Sequence, residues 1–264
     1  MLFVSVPEAE MSMFSRFCDG KSSFLLSDES YAGEFLSGPS RTIGTLSSGY
    51  IDQEICKLNF YRTGVCGNYL CLDADCVFIR DFRISDFMAE KSVPYTVLHQ
   101  DKDLLMDPVY SRMFGEGRAE MIRKIWDFLG LSDTRYRTCH GVQNMNCRVL
   151  ASLYDDFMRP RGLSYADLLE IAPLEFSWYN AYFQKCQRVK EYAVEPFFKY
   201  FHTREEYFFA KVRLLTLSHI ASQYAGIVLQ SNWHKEETEK RFRFFSAVFS
   251  FLYRLILHFL YRGK

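Results

Sequence analysis

The sequence predicts an α/β fold, with a mixed sheet in the first half of the chain and helices filling the second. Three observations carry that expectation. Short apolar runs at Leu2–Val6, Phe24–Leu26 and Asn68–Leu72 have strand length and are separated by segments with helical spacing. The run Asn68–Leu72 is apolar without a break and meets the acids Asp73 and Asp75, as a buried strand does when it opens onto a ligand site. From Tyr165 onward the apolar spacing turns almost wholly helical.

The elements follow in order. Leu2 to Val6 alternates into Pro7 as a first short strand, and Met11, Phe14 and Phe17 lie at helical spacing before Asp19-Gly20. Phe24-Leu25-Leu26 is a second strand. The Gly- and Ser-rich stretch from Ser27 to Gly49 reads as a long irregular loop of the kind that carries function. Ile51, Ile55, Leu58 and Tyr61 define one face of a helix over Tyr50–Tyr61, closed by Gly64. The acidic pair comes next, and Val77-Phe78-Ile79 resumes apolar character. Further strands are expected at Tyr95–Leu98 and Arg135–Cys139, and helices at Ala119–Leu129, stopped by Gly130, and Arg148–Met158, ended by Pro160. Helices over 165–171, 174–187 and 205–223 and a late strand Gly226–Leu229 complete the pattern.

Composition narrows the function classes. Apolar residues at 48% supply a core and exclude a disordered chain. Lys+Arg and Asp+Glu balance at 32 each, so no nucleic-acid partner is expected. The cysteines form no Cys-x-x-Cys pair, and the N-terminal MLFVSVPEAEM has neither a basic nor a long apolar signal region. Buried, reduced thiols in a cytoplasmic protein are the expectation.

The chemistry centres on Asp73-Ala74-Asp75. Hard cations such as Mn2+ or Mg2+ take oxygen ligands, often one or two carboxylates completed by phosphates and water. Two Asp separated by one residue, framed by apolar strands, suit that role, whereas an unframed Asp-x-Asp is as readily a solvated turn. Gln53 and Lys57 are i,i+4 neighbours on the preceding helix, either facing a ligand or forming a solvated polar face. Gln143, Asn144 and Asn146 crowd amides that suit sugar hydroxyls, or that cap the helix from Arg148. Glu175 opens a helix bearing Trp178, Tyr179 and Tyr182. It reads as a general base among sugar-covering rings, or as a helix-start acid beside core aromatics.

Three segments, GYIDQEICKL (49–58), YLCLDADCVFIRDF (69–82) and LEFSWYNAYF (174–183), resemble in order and spacing a group of bacterial GT-A-like glycosyltransferases. The resemblance covers most of residues 1–235 and implies a GT-A-like, Rossmann-like mixed sheet. It also implies transfer of a sugar from a nucleotide-sugar donor to a cell-surface glycan or lipid-linked acceptor. By position, Asp73 and Asp75 would hold the metal and nucleotide, and Gln53 and Lys57 would face the donor pocket; Asn144 and Asn146 join them as donor-binding candidates on their amide chemistry alone. Lys57 would neutralise phosphate charge. His234, after the late strand, falls by order where a His completes the metal site in many such enzymes; its alternative is the commoner lone exposed His. Members of the group carry a strand and helix ahead of the segment resembling LFVSVPEAEMSMF, so this chain aligns from the second strand onward. That departure motivates one alternative, a non-catalytic homologue serving as a membrane-associated assembly partner. The other is a phosphatase of the haloacid-dehalogenase type, with Asp73 as nucleophile and Asp75 as acid/base.

The sequence divides at residues 235/236 into that domain and a basic-aromatic C-terminal helix, 236–264. From Lys240 the tail holds six cations and no acid, with Phe245, Val248, Phe249, Leu252, Ile256 and Phe259 on one helical face. Arg254 and His258 interrupt the ~20 apolar residues a spanning helix needs. The tail over 240–264 therefore reads as lying on the membrane surface, and the protein as peripheral on the inner face of the cell membrane. A helix packed on the domain and a dimer contact are its rivals.

Overall fold

The computed structural model describes residues 1–36, 43–44, 46–98, 111, 115–132, 141–202, 206–208, 210 and 215–229. The expected strand at Arg135–Cys139, His234, the 235/236 boundary and the tail 240–264 lie outside the described residues, as does part of the expected helix 205–223.

The chain opens with strand β1 (Leu2–Val6), a short helix α1 (Met11–Phe14) and strand β2 (Ser23–Ser27), which runs parallel to β1 in a register from Leu2↔Ser23 to Val6↔Ser27. A single turn, α2 (Glu29–Ala32), precedes the long helix α3 (Ser48–Asn59). The Ser47 hydroxyl starts α3 by accepting from the Tyr50 amide. A 3-10 turn, Phe60–Thr63, carries the chain on to Gly64, whose left-handed backbone ends it. Strands β3 (Asn68–Cys71) and β4 (Cys76–Phe78) flank the acidic turn. Three short strands follow, β5 (Met88–Glu90), β6 (Val93–Pro94) and β7 (Thr96–Val97), and then helix α4 (Glu116–Leu129), closed by left-handed Gly130.

Strand β8 (Gln143–Asn146) runs directly into helix α5 (Cys147–Ser152). The helix expected to continue to Met158 instead widens into a π-helical stretch, Leu153–Met158, and tightens to a 3-10 turn around Pro160. Helices α6 (Tyr165–Ile171) and α7 (Glu175–Cys186) lie within a residue of their expected bounds. A Ser164–Asp167 capping box fixes the start of α6. Strands β9 (Ala193–Val194) and β10 (Phe198–Phe201), helix α8 (Leu217–Ala221) and strand β11 (Gly226–Leu229) complete the described elements.

The fold is therefore α/β with mixed pairing. β10 and β11 are parallel, β11 and β4 antiparallel, β3 and β8 antiparallel, β5 and β6 antiparallel, and β7 and β9 parallel. One expectation needs correction. β3 is not a fully buried central strand; it is half-buried and pairs with β8 alone among the described strands.

The main core lies between helices. Ile51, Ile55 and Leu58 of α3 meet Ile122, Ile125, Trp126 and Leu129 of α4, Val149 and Leu150 of α5, and Leu168 and Leu169 of α6. α7 runs through this core and is buried on every side, which explains why apolar and aromatic residues ring it. The sheet β4–β11–β10 has apolar packing on both faces. Tyr200 and Val228 point one way, Phe201 and Ile227 the other, by the two-residue period of a strand.

Candidate functional site

The site assembles around a lysine. Lys57 sits in the last turn of α3, and its side chain is only 11% exposed. Its ammonium donates to Glu175 Oε1 at 2.8 Å and lies 2.7 Å from Asp73 Oδ1 and 3.6 Å from Glu54 Oε1. It also stands 5.1 Å from the centre of the Phe176 ring. Each acid is delivered by a different feature. Glu54 lies one helical turn before Lys57, Asp73 sits just past the end of β3, and Glu175 is the first residue of α7. No side chain caps the start of α7, so the Glu175 carboxylate also faces the positive end of that helix.

Three carboxyl groups around one ammonium cannot all be charged at low cost in a buried place. Burial pushes Glu54 well above the ordinary carboxyl range, and the negative charge of Glu175 adds to the push. Glu175 is buried too, but Lys57 and hydrogen bonds from Glu54 and Lys57 outweigh burial and hold it below its usual value. Burial works against the charge on Lys57, yet Glu175, Glu54 and Asp73 together raise its affinity for the proton well above normal. The Tyr50 and Cys71 side chains complete the surround, both pushed up by burial and by these acids. Asp73, at 27% side-chain exposure, is the member nearest solvent. Its Oδ1 approaches Lys57 closely, but at an angle that leaves it without a hydrogen-bond donor.

Asp75 lies in the tight turn between β3 and β4, closed by the Cys76 amide donating to the Asp73 carbonyl. The Asp75 carbonyl accepts from the Leu229 amide, which ties this turn to the end of β11. Among the described residues, no three of His, Cys, Asp and Glu gather where they could hold a metal ion. The carboxylates that do converge surround Lys57, whose ammonium takes the place a cation would fill. The oxygen-only pair Asp73 and Asp75 retains the donor chemistry of a hard-cation site that phosphate oxygens would complete.

Several expected site residues sit elsewhere. Gln53 is exposed on α3, and the polar residue that accompanies Lys57 inward is Glu54, 2% exposed. The sequence does hold a signal for Glu54, which stands three residues after Ile51 and four before Leu58, within the buried stripe. Asn144 and Asn146 are buried and fully engaged. Asn144 donates to the Phe87 and Tyr95 carbonyls, while Asn146 caps α5 through the Arg148 and Val149 amides and donates to Asn68. Gln143 bonds the Val97 backbone and Asn180. Asn146 thus caps the helix as its capping alternative has it, while Gln143 and Asn144 brace neighbouring segments, Gln143 reaching Asn180 of α7. Trp178, Tyr179 and Tyr182 are core residues whose polar atoms bond Ala172, Asn146 and Ser152. They offer no ring face to a sugar. The described cysteines are free thiols, with Cys56 buried and the others half-buried.

No protein-family model matches this chain, and no curated protein matches it.

Proposed function

We propose that the protein is a nucleotide-sugar-dependent glycosyltransferase of the GT-A type. One observation carries the reading. Segments 49–58, 69–82 and 174–183, which carry the resemblance, each send one charged group to a common point: Lys57, Asp73 and Glu175. A charged cluster built from three distant segments at the end of a strand is where open α/β folds handle ligands.

The burial gradient supports a division of roles. Asp73 is the outward carboxylate and meets the donor side, with Asp75 in the adjoining turn. Glu175, 6% exposed, is buried more deeply than Asp73 and is bound to Lys57. Its role is to hold Lys57, and Lys57 in turn fixes Asp73. The expectation that Glu175 is the general base gives way to a supporting one. Lys57 is likewise bound to carboxylates rather than presented to phosphate. A divalent ion held by Asp73 and Asp75 would neutralise the charge of the leaving diphosphate. Residues 240–264, by their sequence, would bring the enzyme to the surface that carries a lipid-linked acceptor. No helix among the described residues is long and apolar enough to cross a membrane.

A nucleoside diphosphate is expected to raise the melting temperature of the full chain only with Mn2+ or Mg2+ present, and Asp75→Asn is expected to abolish that gain. Equal stabilisation in excess chelator eliminates the metal role. A chain that responds to no nucleotide, with metal or without, removes the transferase reading.

A further inference from the structure

The turn that follows β4 holds two apolar side chains out into water. Ile84 is 80% exposed and Phe82 50%. The turn is braced rather than loose. Asp86 accepts from Arg80 Nη1 at 3.0 Å and from the Arg83 amide at 3.2 Å, and Arg80 also donates to the Asp81 carbonyl. A 3-10 turn over Ile84–Asp86 is closed by the Phe87 amide, which donates to the Ile84 carbonyl. Phe82 stacks on Phe78 of β4 with ring centres 4.1 Å apart, and the buried Phe87 stands edge-on to both rings. One exposed apolar residue is ordinary on a protein surface. Here two project from one braced turn with arginines beside them, as a prong.

The size and charge of the prong point to its occupant. Two side chains are too few to seat a protein, since a stable interface takes roughly 800 Å² from each partner. A phospholipid surface needs less. One or two apolar side chains can reach the acyl region while the long stems of neighbouring arginines keep their charged heads among the phosphates. The charges on the turn balance, Arg80 and Arg83 against Asp81 and Asp86, so apolar burial drives this contact and bilayer charge does not. In this the prong differs from the tail over 240–264, which has six cations and no acid from Lys240 onward.

We infer that Phe82 and Ile84 insert into a phospholipid surface and hold the Asp73–Asp75 turn beside it, so that the acceptor is lipid-linked. Only the three residues of β4 separate the prong from that turn, roughly 10 Å of strand. The acceptor clause rests on the transferase reading above, whereas the membrane contact does not.

The test uses full-length wild type, Ile84→Leu and Ile84→Ser with phosphatidylcholine vesicles at high salt, where attraction through the cationic tail is weakened. Ile84 lies outside the core, so the three proteins are expected to share one melting temperature without lipid. Ile84→Ser is expected to partition onto the vesicles about tenfold more weakly than the wild type, and Ile84→Leu to stay within about twofold of it. Fluorescence of Ile84→Trp is expected to be quenched by brominated acyl chains more strongly than wild-type fluorescence. Equal partitioning of wild type and Ile84→Ser overturns the proposal, as does a wild type that ignores these vesicles. Self-association of the lipid-free wild type that Ile84→Ser abolishes would make the prong a contact between copies, and would overturn it too. Nucleotide response with Mn2+ is measured on the same samples. Its absence from the wild type would remove the transferase reading and the acceptor clause, while partitioning still decides the membrane contact.

Discussion

Lys57 and Glu175 concentrate the energetics of the site, since each is an ion whose burial is tolerable only because the other is there. Removing one partner of a buried pair leaves an uncompensated charge, at a cost of about 3–5 kcal/mol. Lys57→Met is expected to destabilise the fold by that order in urea denaturation, more than an average core substitution. A loss under 1 kcal/mol would mean that the carboxylates take up protons freely and that the cluster is not an ionic unit. The same reasoning explains which residues the sequence revealed. Asp73, Lys57 and Glu175 stand out because their surroundings in sequence are apolar. Glu54 stands in the same stripe but escapes notice beside Gln53, because an i,i+4 spacing from Lys57 attracts attention before an i,i+3 spacing does. Helical geometry admits both, and only the packing of α7 on α3 selects Glu54.

At the level of elements, the short strands are held by side chains as much as by ladders. Asn146 ends β8, caps α5 and donates to Asn68 on β3, so Asn146→Ala removes a cap and a strand-to-strand bond together. The cap alone is typically worth about 1 kcal/mol, and a buried partner left unpaired adds about 1–3 kcal/mol. Chemical denaturation is expected to show a loss in that combined range, with nucleotide response retained. A retained stability with lost nucleotide response would restore Asn146 to the ligand site. Just before β8, Gly141 has φ +96°, and a Cβ there would lie 1.2 Å from the Tyr200 hydroxyl, which accepts from the Val142 amide at 2.6 Å. Gly141→Ala is therefore expected to yield little folded protein at 37 °C, while Tyr200→Phe, which loses only the hydroxyl, folds. A well-folded Gly141→Ala would show that β10 can move away from β8. The sequence reading missed β10 altogether, although Phe197-Phe198-Lys199-Tyr200-Phe201 after Pro196 carries the aromatic run of a strand. Helical spacing on both sides drew those residues into a helical second half.

For the molecule as a whole, the cluster links stability to pH. Glu175 has its proton affinity lowered in the folded state, so its contribution is present above the unfolded carboxyl range and is lost as pH falls through the folded value. Glu175→Gln is expected to melt below the wild type at pH 7, with the difference closing as pH falls from the unfolded carboxyl range through the lowered folded value. A difference constant with pH would mean that Glu175 is not ionised in the fold. The tail belongs to this scale as well. Its six cations and its apolar face predict sedimentation with anionic vesicles, attraction of roughly 1 kcal/mol per basic residue being weakened by salt and apolar burial being insensitive to it. High salt is expected to release part of the bound protein and mild detergent all of it. Indifference to anionic vesicles would return the tail to one of its other readings.

Local pattern alone determined the α/β class and, to within a residue, the bounds of β1, β2, α6, α7 and β11, because period, capping and punctuation by glycine and proline act within a few residues. The tertiary structure decided what each polar side chain is for. Gln143, Asn144 and Asn146 look like ligands in one dimension, but the fold engages their side chains internally, and apart from the local cap by Asn146 their partners come from residues more than thirty positions away. Glu175 keeps its place in the cluster but moves behind Asp73, because depth is a property of packing. The ion that the three carboxylates enclose is the chain's own Lys57, brought there by the crossing of α3 with α7 and the end of β3, and no spacing along the sequence encodes that crossing.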